Sequence, residues 1–163
     1  MAVAGFLSGA APTDMQLTTN GLGRVRYGMA VGQVEAALGQ RLSVNYPQDK
    51  SCGVGALKRP HNPTIHYLFE QGRLARIEVG ASLARKQRPL ISVKGIGIGA
   101  SEAAALKRFP SAKVEPHKYD EDGHYVEINV TGRRGILFET HKGRVAAMRT
   151  GLYPALLYVE GCL

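Results

Sequence analysis

Slid against itself, the chain matches at a single offset. Residues 23–39 align without a gap on residues 94–110, so that Val25 meets Ile96, Tyr27 meets Ile98, Gly28 meets Gly99, Val34 meets Ala105 and Leu38 meets Phe109. The same register carries Gly72-Arg73-Leu74-Ala75-Arg76-Ile77 onto Gly143-Arg144-Val145-Ala146-Ala147-Met148, and Gly80 onto Gly151. Phe69-Glu70 and Phe138-Glu139 recur two residues out of step, which predicts a second hairpin turn two residues longer than the first. A chain of two such segments is expected to use one supersecondary unit twice, with neighbouring units burying what neither can bury alone.

Each segment reads the same way. A short strand with alternating apolar residues (Val25 and Tyr27; Ile96 and Ile98) runs into a glycine suited to a sharp turn. Val31, Val34 and Leu38 then lie on one helical face, and in the second segment Ser101 is placed to cap a helix whose Ala105 and Phe109 face inward. Gly39 and Pro110 end the two helices. Hairpins are predicted from Thr64 to Val79 about Gln71-Gly72, and from Ile136 to Thr150 about His141-Lys142-Gly143, with a further strand from His124 to Val130. Residues 47–63 read as a long loop with a short strand at Val54–Leu57, and residues 156–160 as a final strand. The expected fold class is α+β: two tandem helix-plus-antiparallel-sheet repeats packed as one unit, since neither half of about 70 residues holds a large core alone. The expected division is a tail or export-signal remnant over 1–17, a first repeat over 18–80, a linker over 81–90 and a second repeat over 91–163.

The 163 residues hold 21 Lys and Arg against 13 Asp and Glu, for a net charge of +8, which favours acidic partners. The basic residues fall in short groups, Lys58-Arg59, Arg85 to Arg88, Lys107-Arg108 and Arg133-Arg134, without the interleaved aromatics of a single-strand nucleic-acid groove. Nucleic acid is therefore not an expected partner; a solvated basic surface is the plain alternative. No apolar run is long enough to span a membrane as a helix.

Residues 1–11 are small and apolar before Pro12-Thr13-Asp14 turns polar, like the end of an export signal, although the positively charged start is missing. Leu7-Ser8-Gly9 resembles a lipoprotein signal box with Ala10 in the place of the lipidated cysteine. The expected location is periplasmic or secreted, with lipid anchoring as a variant and an inconsequential apolar tail as the alternative. Cys52 and Cys162 are too far apart for a metal or redox C-x-x-C pair, and in an exported protein they read as a disulfide that ties the C-terminus to the first half. In a cytosolic protein they would be two free thiols.

Two constellations could carry chemistry. His117, Tyr119, Asp120, Glu121, Asp122 and His124 crowd into eight positions, as metal ligands do, yet Asp122-Gly123 is also an ordinary hairpin turn. Cys52, with His61 and His66 downstream, could be a nucleophile and base if the fold joined them. There is no phosphate-binding loop, no Gly-x-Ser-x-Gly and no His-Glu-x-x-His. No enzyme activity, no metal and no cofactor are expected; a cell-envelope enzyme using Cys52 or the His117–His124 cluster is the alternative.

Arg26-Tyr27-Gly28-Met29, followed by Val31, Val34 and Leu38-Gly39, resembles the opening of a repeat found in β-lactamase inhibitory protein and in small outer-membrane lipoproteins of the barrel-assembly type. The resemblance implies a long concave sheet that receives a partner protein. The chain departs from it at Ala100, where Met is usual, in having one cysteine pair rather than a disulfide in each repeat, and in lacking Trp. Composition points to Tyr46, Tyr67, Tyr119, Tyr125, Tyr153 and Tyr158 as partner-binding candidates, each of them as well suited to a core. The expected function is a non-enzymatic exported protein that binds an acidic protein or a cell-envelope component, acting as an inhibitor or immunity protein.

Overall fold

Strands, most of them antiparallel, take up about half of the described residues, because β-branched and aromatic residues recur at alternate positions over much of the second and fourth quarters of the chain. The structure is a computed structural model that describes residues 15–58, 64–80 and 91–162. In the first half come β1 (Met15–Thr18), β2 (Gly21–Leu22), β3 (Val25–Arg26), helix α1 (Val31–Leu38), β4 (Leu42–Asn45), β5 (Cys52–Leu57), β6 (Thr64–Glu70) and β7 (Arg73–Gly80). In the second come β8 (Ile91–Val93), β9 (Ile96–Gly97), helix α2 (Glu102–Arg108), β10 (Lys113–Pro116), β11 (Gly123–Asn129), β12 (Arg134–His141), β13 (Arg144–Leu152) and a 3-10 turn at Ala155–Leu157. One sheet has eight strands in the order β10-β11-β12-β13-β7-β6-β5-β4; the other has five, ordered β3-β2-β1-β8-β9.

This corrects the expected fold class. The protein is mostly β, not a balanced α+β pair of helix-plus-sheet repeats. Its helices are two turns each, and each has a single fully buried side chain, Val34 or Ala105. Ser101 caps α2 by accepting from the Ala104 N–H, and Gly39 closes α1 at φ 66°. Contacts beside the helices nonetheless recur at the offset of 71. Gly28 N–H donates to Leu74 O and Gly99 N–H to Val145 O, each at 2.8 Å, while Arg73 and Arg144 reach the carbonyls of Gly28 and Gly99. Gly28 and Gly99 hold φ of 88° and 85°, which a side chain would oppose.

The two hairpin turns are of equal length, Gln71-Gly72 between Glu70 and Arg73 and Lys142-Gly143 between His141 and Arg144. The expected two-residue lengthening does not occur; Tyr67, not Phe69, stands 71 positions before Phe138, and both face the main core. The loop expected over 47–63 contains β5 from Cys52, longer than the strand read there. The strand expected at 156–160 is instead a 3-10 turn and irregular chain after the Tyr153-Pro154 bond, which is cis. Strand β1 crosses the boundary drawn at residue 17 and pairs in parallel with β8, Met15 beside Ile91. Residues 1–14 and the whole linker over 81–90, with the basic group Arg85 to Arg88, lie outside the described residues.

One core lies between the sheets. Leu17, Val25, Ile91 and Val93 of the small sheet and Val34 and Ala105 of the helices meet Tyr67, Phe69, Ile77, Phe138 and Met148 of the large one. Phe109 and Phe138 pack at 5.8 Å between ring centroids. Tyr27 donates to Thr150 Oγ1, which donates in turn to Thr18 O, so a buried polar chain crosses from one half to the other. Burial holds the Tyr27 and Tyr67 phenols well above their usual range, Tyr67 to about 12.

The halves join where β7 pairs with β13, Glu78 opposite Arg149 and Arg76 opposite Gly151. A Cβ on Gly151 would lie 2.5 Å from the carbonyl oxygen of Ala75. Since that obstacle is backbone, Gly151→Ala is expected to lower stability by about 1–3 kcal/mol or more in urea unfolding, through overpacking at the seam.

Candidate functional site

Alternation along the central strands turns Leu68, Arg76, Glu78, Glu139 and Arg149 to the sheet face opposite the main core. The chain after β13 lies across that face as a strap. Ala155 packs on Leu68 and Ala75, and Tyr158 and Cys162 pack with Cys52 and Val54 in the same small cluster. Cys52 and Cys162 form a disulfide with their Cα atoms 5.5 Å apart, which bonds the end of the strap to β5.

Beneath the strap lies a buried charge network. Arg76, 6% exposed, donates from Nη1 to Ala155 O at 3.1 Å and Tyr158 O at 2.6 Å, and Arg149, 3% exposed, donates to Tyr158 O at 3.0 Å. Glu78 lies between them, with Oε2 3.4 Å from Arg76 Nη2 and 3.4 Å from Arg149 Nε. Arg149 also pairs with Glu139, whose other oxygen is 3.6 Å from His117 Nε2. Desolvation, then the charge of Arg149, lowers the Arg76 pKa to about 10 against the pull of Glu78 and Glu70, so the guanidinium stays cationic at neutral pH. Desolvation lowers that of Arg149 as well. Two cations in one buried place are tolerable because two carboxylates face them and the strap's carbonyls take up Nη donors of both, although the Nε–H of each has no hydrogen-bond partner among the described residues.

The six tyrosine candidates part company here. Tyr67 is fully buried in the main core. Tyr46 is exposed and sits against Gly53, and Tyr119 is the most exposed, at 62%, with Lys118 over its ring. Tyr125 stacks on His117 at 4.3 Å, and its hydroxyl is buried without a hydrogen-bond partner among the described residues. Tyr153 donates to Glu127 at 2.6 Å and Tyr158 to Glu70 at 2.8 Å. Tyr125, Tyr153 and Tyr158 therefore gather on the strap face as structural members of its network. The network's own residues were missed in the sequence, although a signal existed: Glu78 and Arg149 occupy matched positions at the offset of 71, with opposite charges among apolar neighbours.

The His117–His124 cluster disperses. His117 turns to Glu139 and Tyr125; His124 Nδ1 bonds Glu102 of α2 at 2.9 Å; Asp120 bonds His141 at 2.6 Å. No three His, Cys, Asp or Glu residues among those described are placed to hold a metal ion. The Cys52 sulfur is bonded to Cys162 and is no nucleophile. A groove of about 460 Å³ opens beside the disulfide, between Gln48, Lys118, Glu160 and Gly161.

Removing the disulfide with Cys52→Ser/Cys162→Ser is expected to cost about 2–5 kcal/mol in guanidinium unfolding, since the bond closes a loop with a sequence separation of 110. Glu102 is held below the ordinary carboxylate pKa: burial raises it, but the bonds from Thr140 and His124 outweigh that. Its contribution is present above the unfolded value and lost as pH falls through the folded one, so Glu102→Gln should flatten the fall in stability below about pH 4.5.

No protein-family model matches the chain, and no curated protein matches it either. Solved structures do. An extracellular protein containing an SCP domain from Bacillus anthracis strain Ames superposes with a TM-score of 0.55 at 10% identity, over 80% of this chain and 45% of that one. A cysteine-rich secretory protein from Staphylococcus aureus gives 0.51 at 15% identity, over 82% and 47%. The chain spans just under half the length of each. These matches correct the resemblance to β-lactamase inhibitory protein and the barrel-assembly lipoproteins, because the motif behind it describes only a strand turning through glycine into a short helix. The fold is thus one shared with parts of an SCP-domain protein and a cysteine-rich secretory protein.

Proposed function

We propose that this chain is a non-enzymatic, exported binding module whose partner is an acidic protein. The observation that carries the reading is the strap bonded to β5 by Cys52–Cys162, since such a bond persists in an oxidising compartment and not among cytosolic reductants. The two solved structures that share its fold are described as extracellular and secretory, which supports the same compartment. No helix among the described residues is long and apolar enough to cross a membrane.

Binding rather than catalysis is supported by what the reactive residues do. Both sulfurs are joined to each other, and His117, His124 and His141 each face a carboxylate on a different element. The net charge of +8 supplies long-range attraction for an acidic surface.

Two measurements test the reading. Protein recovered from its native compartment should show no free thiol before reduction and two after it; two free thiols at the outset would place it among reductants and overturn export. The immobilised protein, exposed to envelope and supernatant extracts of its source cells, should retain a stoichiometric acidic protein that elutes as salt rises, with affinity falling about tenfold or more between 20 and 150 mM. Retention of diffuse acidic material alone would overturn the binding reading.

A further inference from the structure

Away from the strap, a groove of about 390 Å³ opens where the small sheet, the end of α2 and the end of β11 meet. Its floor is the edge of the main core: Leu17, Val93, Phe109, Ile128 and Ile136, all buried. Val130 stands on its lip, 46% exposed. The volume falls in the range of ordinary ligand pockets, and the lining is apolar with a few polar groups, the composition that favours specific binding.

The charge of the lining is one-sided. Lys94 and Arg108 both line the groove, no Asp or Glu does, and neither cation has an ion pair among the described residues. Lys94 rests its ammonium over the Phe109 ring at 5.8 Å, at the boundary between apolar floor and solvent. Three further groups have no partner among the described residues: the Thr19 and Ser111 hydroxyls, and the amide nitrogen of Asn129, whose Oδ1 accepts from the Gly132 N–H. A peptide backbone would use these hydrogen-bonding groups; an acyl chain would cover them without replacing the bonds they make to water.

We propose that this groove takes a short extended segment of a partner protein, one that sets apolar side chains on the floor and a carboxylate between Lys94 and Arg108. The proposal rests on the binding-module reading and gives that partner its chemistry. Isotope-labelled full-length protein, titrated with an acetylated octapeptide of alternating leucine and aspartate, should show saturable shifts at the amides of Lys94, Ser111, Asn129 and Val130. Affinity should fall about tenfold or more when asparagine replaces aspartate, and equally in the Lys94→Glu/Arg108→Glu variant, whose unchanged β4 and β5 resonances would report an intact fold. Shifts elsewhere, equal affinity for the two peptides, or no shift at about 2 mM peptide would overturn it. Laurate that moves these amides where the peptide does not would assign the groove to an acyl chain and overturn it too. A native partner captured undiminished by the charge-reversed variant would leave the binding module standing and remove this groove from it.

Discussion

The antiparallel pairing of β7 with β13 is the seam on which the molecule depends. It makes one eight-stranded sheet from two halves that meet nowhere else along a sheet edge of comparable length, and it sets Arg149 directly opposite Glu78. Everything placed on either face follows from that register. A slip of one residue would turn one strand over against the other, exchanging Ile77 for Arg76 in the core, or Met148 for Arg149. The glycine at 151 is part of the same constraint, because the carbonyl of Ala75 leaves no room for a side chain there.

With both faces of the sheet covered, two different kinds of interior result. Toward the helices and the small sheet the interior is apolar, with one hydrogen-bonded chain through Tyr27 and Thr150. Toward the strap it is ionic, and its order depends on carbonyl groups that come from outside the sheet. A buried ion pair of this kind contributes little net stability over an apolar replacement, but it is costly to break and it accepts only a matched partner. The strap is therefore held in one position by the two arginines and kept close to it by the disulfide.

The long strands were legible in the sequence, and the assembly was not. Thr64–Glu70, Arg73–Gly80 and β11 to β13 announce themselves because their apolar residues alternate over seven residues or more. Strands β3 and β9 were legible from the alternation of Val25 with Tyr27 and of Ile96 with Ile98, whereas β2 has two residues and no period to detect, and all four residues of β10 are exposed. The α+β reading gave the helices too much weight, since a motif that starts and stops a helix says little about how much sheet surrounds it. The site was harder still. Where a sheet is covered on both sides, alternation cannot say which side a tyrosine belongs to, and so Tyr67 and Tyr125 look alike in sequence. The cysteine pairing was readable because only one pairing exists; the partnership of Arg76 with the strap carbonyl of Tyr158 needs a tertiary contact across 82 positions.

The position of the disulfide has a topological consequence. Because Cys52 and Cys162 close about two thirds of the chain into a ring, at a sequence separation of 110, any single cut of the backbone between them leaves one covalently connected molecule, with β5 still bonded to the strap. A cut between β4 and Cys52 would instead separate β1 to β4 and α1 from the ring. To a protease the chain therefore offers two unequal targets: a ring that survives a nick, and a segment ahead of it held by packing and hydrogen bonds.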